Sequence, residues 1–272
     1  MAFPETGLFA RYEALLQRGV THDTQLQSIP DLSGASTPFN LFVSSTPGRY
    51  RQNVVNGQPA YYLTGSGYYQ ASSNDYSAIA SSDPQVTIAA IVNSNTPGTT
   101  RSWPFGTTFG ESGSIFAFTD GNTPGNWGYF ARGAVTPNQV NLPSTDDTQW
   151  TVLTMSFTGS AVNVYLNGDL VGTHTGSGLQ QMDRIRFGNI VNQNFEGYIA
   201  GAYIWKRGLS QAERADFHSY VQDTYGIQVA DYVGGSIATN QLRINGQMPT
   251  TLVFNNQEAI RAYLDGQLVF EK

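Results

Sequence analysis

Trp150-Thr151-Val152-Leu153-Thr154-Met155-Ser156-Phe157 decides the fold. β-branched and aromatic residues fill this stretch as they fill a strand buried on one or both faces. A short turn at Thr158-Gly159-Ser160 leads into Val162-Asn163-Val164-Tyr165-Leu166, which alternates apolar with mixed residues and stops at Asn167-Gly168. Asn-Gly tolerates positive φ and suits a two-residue hairpin turn, after which Leu170-Val171 begins the return strand.

Toward the carboxy terminus, Ile185-Arg186-Phe187-Gly188 gives another short strand, and Phe195 to Trp205 gives a long one in which Ile199, Gly201, Tyr203 and Trp205 share a face. The two-residue period ends at Lys206-Arg207-Gly208. Ser210-Gln211-Ala212-Glu213 then forms a capping box, in which the Ser210 hydroxyl accepts from the Glu213 amide and the Glu213 carboxylate reaches back. The pattern predicts a helix from there to about Tyr225, with Phe217, Tyr220, Val221 and Tyr225 on one face and Gly226 as its stop.

Toward the amino terminus, Leu8 to Tyr12 reads as a first strand followed by a short helix at Glu13 to Gln17. Ile29-Pro30-Asp31-Leu32-Ser33-Gly34 is a turn, because Pro fixes φ while Asp and Ser bond nearby amides. Pro47-Gly48-Arg49-Tyr50 and Asn56-Gly57-Gln58-Pro59-Ala60 follow in that order before Tyr61-Tyr62-Leu63. Val86 to Val92 is a nearly continuous apolar run, fitting a central strand covered on both faces. Asn93 to Gly113 is rich in loop residues and holds Trp103-Pro104-Phe105. Ile115 to Phe118 is a strand, Asp120-Gly121-Asn122 a turn and Trp127 to Phe130 an aromatic strand. Turns every ten or so residues suit two packed antiparallel sheets.

This succession resembles the laminin-G-like, concanavalin A-like domains of the lectin and glucanase superfamily, of the type found in phage virion and bacterial surface proteins. It rests on the Trp-led strand, the Tyr165-Leu166-Asn167-Gly168 hairpin, the Phe187-Gly188 strand, the Phe195-to-Trp205 strand and the Leu209-Ser210 helix start, and it covers roughly residues 5 to 226. The Asp31-Leu32-Ser33-Gly34 turn and the later Pro47 and Asn56 elements match bacterial and phage members in order. The resemblance implies an all-β jelly-roll sandwich of two antiparallel sheets with one short helix after the last sandwich strand. The sandwich domain is expected at 1–228, leaving 229–272 as a small β-strand module for attachment or oligomerisation. One departure is that such domains often carry a Glu after the Ile-Ala pair, where Ile199-Ala200 is here followed by Gly201.

Composition agrees with a folded all-β protein: 272 residues with 29 glycines, 12% charged and 12% aromatic side chains. The net charge is -6, the lysines are Lys206 and Lys272, and no basic patch stands out to neutralise phosphates, so nucleic acid is not expected as a partner. No apolar run approaches the ~20 residues of a membrane span. Met1 to Thr6 lacks a secretory signal, so the chain as given reads as made and folded in a cytoplasm. The absence of cysteine removes disulfides, thiolate metal sites and cysteine nucleophiles, and tilts the source toward a bacterium or a phage.

Glucanases on this fold use carboxylates two apart on one strand, and retaining hydrolysis needs them about 5 to 5.5 Å apart. Asp146-Asp147 are adjacent and would point to opposite faces, while Glu213 and Asp216 fall on the helix, so no catalytic residues are assigned and the protein is expected not to be an enzyme. His22, His174 and His218 are scattered through a loop, a strand end and a helix. Calcium is the one cofactor considered: Asp120, Asn122 and Asp31 offer the oxygen ligands it prefers, and turn-making is the alternative role for each. Trp103, Phe105, Trp127, Tyr68 and Tyr69 lie in or near loops and are glycan-binding candidates, since sugar faces stack on aromatic rings; packing is the alternative. Trp150 and Trp205 read as core.

The expected function is a non-enzymatic virion structural protein of a phage, a capsid decoration, head fibre or tail-fibre component assembled in the host cytoplasm and displaying a lectin-like domain for glycan or host-surface adhesion. Its expected partners are other capsid or tail proteins, itself as a homo-oligomer such as a trimer, and surface glycans. The alternative is a free bacterial carbohydrate-binding or adhesion module, at the cell surface or secreted. A glycoside-active enzyme comes third.

Overall fold

The computed structural model describes residues 3–36, 38–71, 85–95, 102–108, 115–120, 127–132, 139–141, 148–158, 161–175, 184–189, 194–230, 251–255, 258–264 and 267–271. One eight-stranded sheet contains β1 (Leu8–Glu13), β4 (Arg49–Val55), β5 (Gln58–Thr64), β7 (Gln85–Ser94), β12 (Thr151–Thr158), β13 (Ala161–Leu166), β14 (Asp169–Thr175) and β16 (Glu196–Trp205). Its order is β14-β13-β12-β7-β16-β5-β4, and β1 pairs with β16 beyond the point where β5 leaves it. A second eight-stranded sheet contains β2 (Ser28–Ile29), β3 (Leu41–Val43), β6 (Tyr69–Ala71), β8 (Phe105–Thr108), β9 (Ile115–Asp120), β10 (Trp127–Arg132), β11 (Gln139–Asn141) and β15 (Arg184–Phe187). Its order is β11-β10-β9-β8-β15-β6-β3-β2. This is the predicted all-β sandwich of two antiparallel sheets with one helix after its last strand.

β7 shows why an unbroken apolar run was needed. Ile88, Ala90 and Val92 face the core between the sheets, with Met155 and Ile204 from the first sheet and Phe118 and Phe187 from the second. Ala89 and Ile91 point the other way, against α1 (Gln211–Tyr225). Phe217, Val221 and Tyr225 of that helix, with Ile227 and Val229 beyond it, cover Val152, Tyr203 and Trp205. Ser210 and Glu213 make the reciprocal capping box, and Gly226 closes the helix at φ 66. Asn167 and Gly168 have φ of 47 and 88, which suits the right-handed twist of the β13–β14 hairpin.

Strict alternation misplaces Ile199. Ile199 pairs with Val92 and Gly201 with Ile91, so Ala200 is an extra residue, a β-bulge that shifts the phase of the strand. Ile199 therefore turns into the sandwich core with Ala202 and Ile204, while Tyr203 and Trp205 face the helix. The predicted Glu13-to-Gln17 helix is a single 3₁₀ turn at Ala14–Leu16.

Gly201 stands opposite Glu13 of β1. A Cβ at Gly201 would overlap the Tyr203 hydroxyl, so a side chain there requires the buried Tyr203 ring to move. The carboxylate in this region comes from Glu13 instead, fully buried, paired to Arg11 at 2.6 Å and accepting from the Tyr225 hydroxyl at 2.6 Å and from the Tyr220 hydroxyl. Phe3 lies under the Arg11 guanidinium, 4.1 Å from ring centroid to Cζ, and the Trp205 indole donates to the Pro4 carbonyl at 2.7 Å. These contacts tie the amino-terminal segment, β1, β16 and α1 together.

β17 (Thr251–Asn255), β18 (Glu258–Leu264) and β19 (Gln267–Glu271) form an antiparallel three-stranded sheet. They fall within the β-strand module expected at 229–272, of which residues 231–250 lie outside the described residues. The sandwich reaches past residue 228, because Val229 is 1% exposed and the Ala230 amide donates to the Asn167 carbonyl at 2.6 Å.

Candidate functional site: an aromatic row on the helix-side face

Four of the five aromatics expected to meet a glycan are core residues: Trp103 and Tyr69 are 1% exposed, and Phe105 and Trp127 are 0% exposed. Phe105 packs edge-on to Phe187 at 5.2 Å, and Trp127 lies 6.2 Å from Phe195. The Tyr69 hydroxyl accepts from the Gly48 amide at 2.6 Å and donates to the Leu26 carbonyl at 2.7 Å, which pins a turn. These side chains have no face to offer a sugar, and the packing alternative describes them. Tyr68 is half-buried, with the Arg186 guanidinium 5.5 Å from its ring centroid.

Asp31 is a turn-maker and does not have the surroundings of a calcium ligand. Its Oδ1 accepts from the amides of Arg11 and Ser33, each at 2.9 Å, and its Oδ2 from the Phe39 amide at 3.0 Å. N–H donors converge where a cation would need oxygen atoms. Asp120 ends β9 with its backbone opposite Trp127, and Asn122, like Asp146 and Asp147, lies outside the described residues. His22 accepts from the Gln52 amide at 3.1 Å, His174 lies on β14, and His218 is buried on α1, so the three histidines stay on separate elements. Burial and the nearby Arg214 lower the His218 pKa to about 4. Among the described residues no three His, Cys, Asp or Glu side chains gather as a metal site.

The structure brings together a different set. Among the described residues α1 and the segment to Val229 cover part of the outer face of the first sheet, and beyond the Ala200 bulge that face carries partly exposed side chains. There Tyr62 of β5 pairs with Tyr198 of β16, Tyr198 pairs with Asn93 of β7, and Trp150 stands just before β12, whose first residue pairs with Val92. Tyr62, Tyr198 and Trp150 are all partly exposed. The Tyr62 and Tyr198 ring centroids lie 5.0 Å apart with planes inclined at 37°, and Tyr198 and Trp150 lie 6.2 Å apart at 45°. Three aromatic rings thus cross the sheet in one row.

Polar groups border the row. Glu196 Oε1 accepts from the Tyr62 hydroxyl at 3.0 Å and from Asn95 Nδ2 at 3.3 Å, and the Asn93 side-chain amide donates to the Thr148 carbonyl. On the opposite flank the Arg51 guanidinium sits 5.4 Å from the Tyr62 ring centroid while pairing with Asp23 at 3.0 Å; Arg49 pairs with Asp23 at 3.1 Å. Burial, followed by the hydrogen bond to Glu196, raises the Tyr62 pKa, so its hydroxyl keeps its proton and donates at neutral pH. Apolar ring surface flanked by amide, carboxylate and hydroxyl groups matches the two-sided chemistry of a sugar. Sequence reading passed over the row because each ring sits in or beside a strand and reads as core. Their alignment depends on the register of β5, β16, β7 and β12, and the polar Asn93, Asn95 and Glu196 at the strand ends are the one local sign of an open edge.

Residues 63–213 match the family model described as the concanavalin A-like lectin/glucanases superfamily, more than half of the chain. Solved structures of similar fold include domain 4 of AbnA, a GH43 extracellular arabinanase from Geobacillus stearothermophilus, in complex with arabinotriose. It is 17% identical with a TM-score of 0.58, and the match covers 78% of this chain and 98% of that one. A structure of botulinum neurotoxin type C, described with the dependence of cell entry on two ganglioside molecules, is 13% identical with a TM-score of 0.57, over 80% of this chain and 52% of that one. Trypanosoma rangeli sialidase in complex with sialic acid is 12% identical with a TM-score of 0.58, over 83% of this chain and 34% of that one. The chain therefore spans about half of the neurotoxin chain and a third of the sialidase chain. At these identities the likeness establishes the fold alone. No curated protein sequence matches the chain.

Proposed function

Because the chain belongs to the concanavalin A-like lectin/glucanase superfamily, we propose that it is a non-catalytic carbohydrate-binding or adhesion module whose glycan platform is the Tyr62–Tyr198–Trp150 row. The observation that carries this reading is the alignment of three partly exposed rings across adjacent strands, beside side chains that donate and accept hydrogen bonds. The similar structures support it in kind, since they are described with arabinotriose, ganglioside and sialic acid. They also favour an extracellular or cell-surface setting over a virion fibre, one being a domain of an extracellular enzyme and another being described in terms of cell entry.

The absence of turnover is part of the proposal. Hydrolysis by paired carboxylates needs two of them facing one glycosidic bond. Among the described residues Glu196 borders the row, while Asp23 is engaged by Arg49 and Arg51. A glycan array probed with the intact chain and with Trp150→Ala tests both parts. The expected result is binding to a defined set of glycans that falls at least about tenfold in the variant, the loss of one aromatic hot spot, with no release of reducing ends on prolonged incubation. Undiminished binding by Trp150→Ala would move the site elsewhere.

A further inference from the structure

We infer that the row takes an uncharged, extended oligosaccharide laid across the strands and discriminates against acidic sugars through Glu196; this rests on the carbohydrate reading above. The shape argument comes from sheet geometry. The row runs from β5 over β16 and β7 to the residue before β12, and its ring centroids span at most about 11 Å. That is longer than a single sugar ring, and the rings are offset along it at 5.0 and 6.2 Å, so successive residues of a chain each meet an aromatic. A terminal monosaccharide would cover part of the row and leave the rest wet.

The charge argument comes from how the flanking ions are used. Arg49 and Arg51 share the one Asp23 carboxylate, and Arg51 also lies over Tyr62, so both cations of that flank are engaged within the protein, on the side of Tyr62 away from Glu196. Glu196 has no cation among the described residues: Oε1 is held by Tyr62 and Asn95, both neutral donors. Its negative charge therefore faces whatever lies on the row. Ligand hydroxyls can donate to it. A uronate or sialate carboxylate placed there would meet a like charge, which is destabilising near a protein surface.

Isothermal titration calorimetry on the full chain with cellotetraose, xylotetraose and tetra-N-acetylchitotetraose, against tetragalacturonate and sialyllactose, tests this directly. The expected result is measurable affinity for at least one neutral tetramer, weak or no affinity for its monosaccharide, and affinity for the acidic probes about fivefold weaker than for that tetramer at neutral pH. Glu196→Gln should then improve binding of an acidic probe by about fivefold, the effect of removing one exposed like charge, and Tyr62→Phe should weaken the neutral ligand without unfolding the chain. Acidic probes that bind the wild type as tightly as neutral ones, with loss on Trp150→Ala and indifference to Glu196→Gln, would overturn the charge selection and leave the carbohydrate function standing. A monosaccharide that binds as well as its tetramer would overturn the extended mode. Binding of no probe, neutral or acidic, would overturn this inference and the proposed function together.

Discussion

Glu13 is the residue on which the helix-side architecture turns. Domains of this type often place a carboxylate on β16 after the Ile-Ala pair; here that position is Gly201, crowded by the Tyr203 hydroxyl, and the carboxylate is presented from the cross-strand partner on β1. Glu13→Gln would leave Arg11 as an uncompensated buried charge, and we expect it to cost about 3 kcal/mol, read as a lower denaturant midpoint with an unchanged slope. At this scale the sequence was informative about chemistry and silent about burial. Trp103, Trp127 and Trp150 are the same residue type in similar company, yet the first two fill the core and the third is partly exposed. Which is which depends on strand pairings between residues far apart in the chain, and no window around a tryptophan contains them.

Individual elements were legible wherever local chemistry specifies them. The Ser210 cap, the Gly226 stop and the Asn167-Gly168 turn are set by side chains and φ values within a few residues, and each stands where predicted. The Ala200 bulge was not legible, because inserting one residue leaves a run that still alternates on both sides and only pairing with β7 reveals the slip. The helix start also carries a pH signature. The Arg207 guanidinium, which bonds the Glu213 carboxylate through both of its oxygen atoms, together with the Ser210 donors, lowers the Glu213 pKa from the ordinary 4.5 to about 2. A depressed carboxylate contributes stability above its unfolded pKa and loses it as pH falls through the folded one. The melting-temperature gap between wild type and Glu213→Gln should accordingly be constant above pH 4.5 and close as pH approaches 2. A gap that persists at pH 2 would show that the pairing contributes nothing through ionisation.

For the whole molecule, the described part of the first sheet's outer face divides into an area buried under α1 and the segment to Val229 and an adjoining, partly exposed area that carries the aromatic row and packs against the first through Trp150 and Tyr198. Composition and turn spacing announced the sandwich, but the division of this face depends on where the helix lies and could not be read from periodicity. It also fixes where the chain can be cut. Truncation after Ala230 should leave thermal stability intact, whereas truncation after Gln228 should cost about 2 kcal/mol through loss of the buried Val229 side chain; equal melting curves for the two would show that Val229 packing is dispensable. The uneven placement of the tryptophans gives the protein a built-in optical reporter. Of four tryptophans, Trp103, Trp127 and Trp205 are at most 1% exposed, so a small aqueous quencher should reach the fluorescence of Trp150 alone. A glycan seated on the row would shield that indole, and loss of quenching on titration would count occupied sites with no label attached.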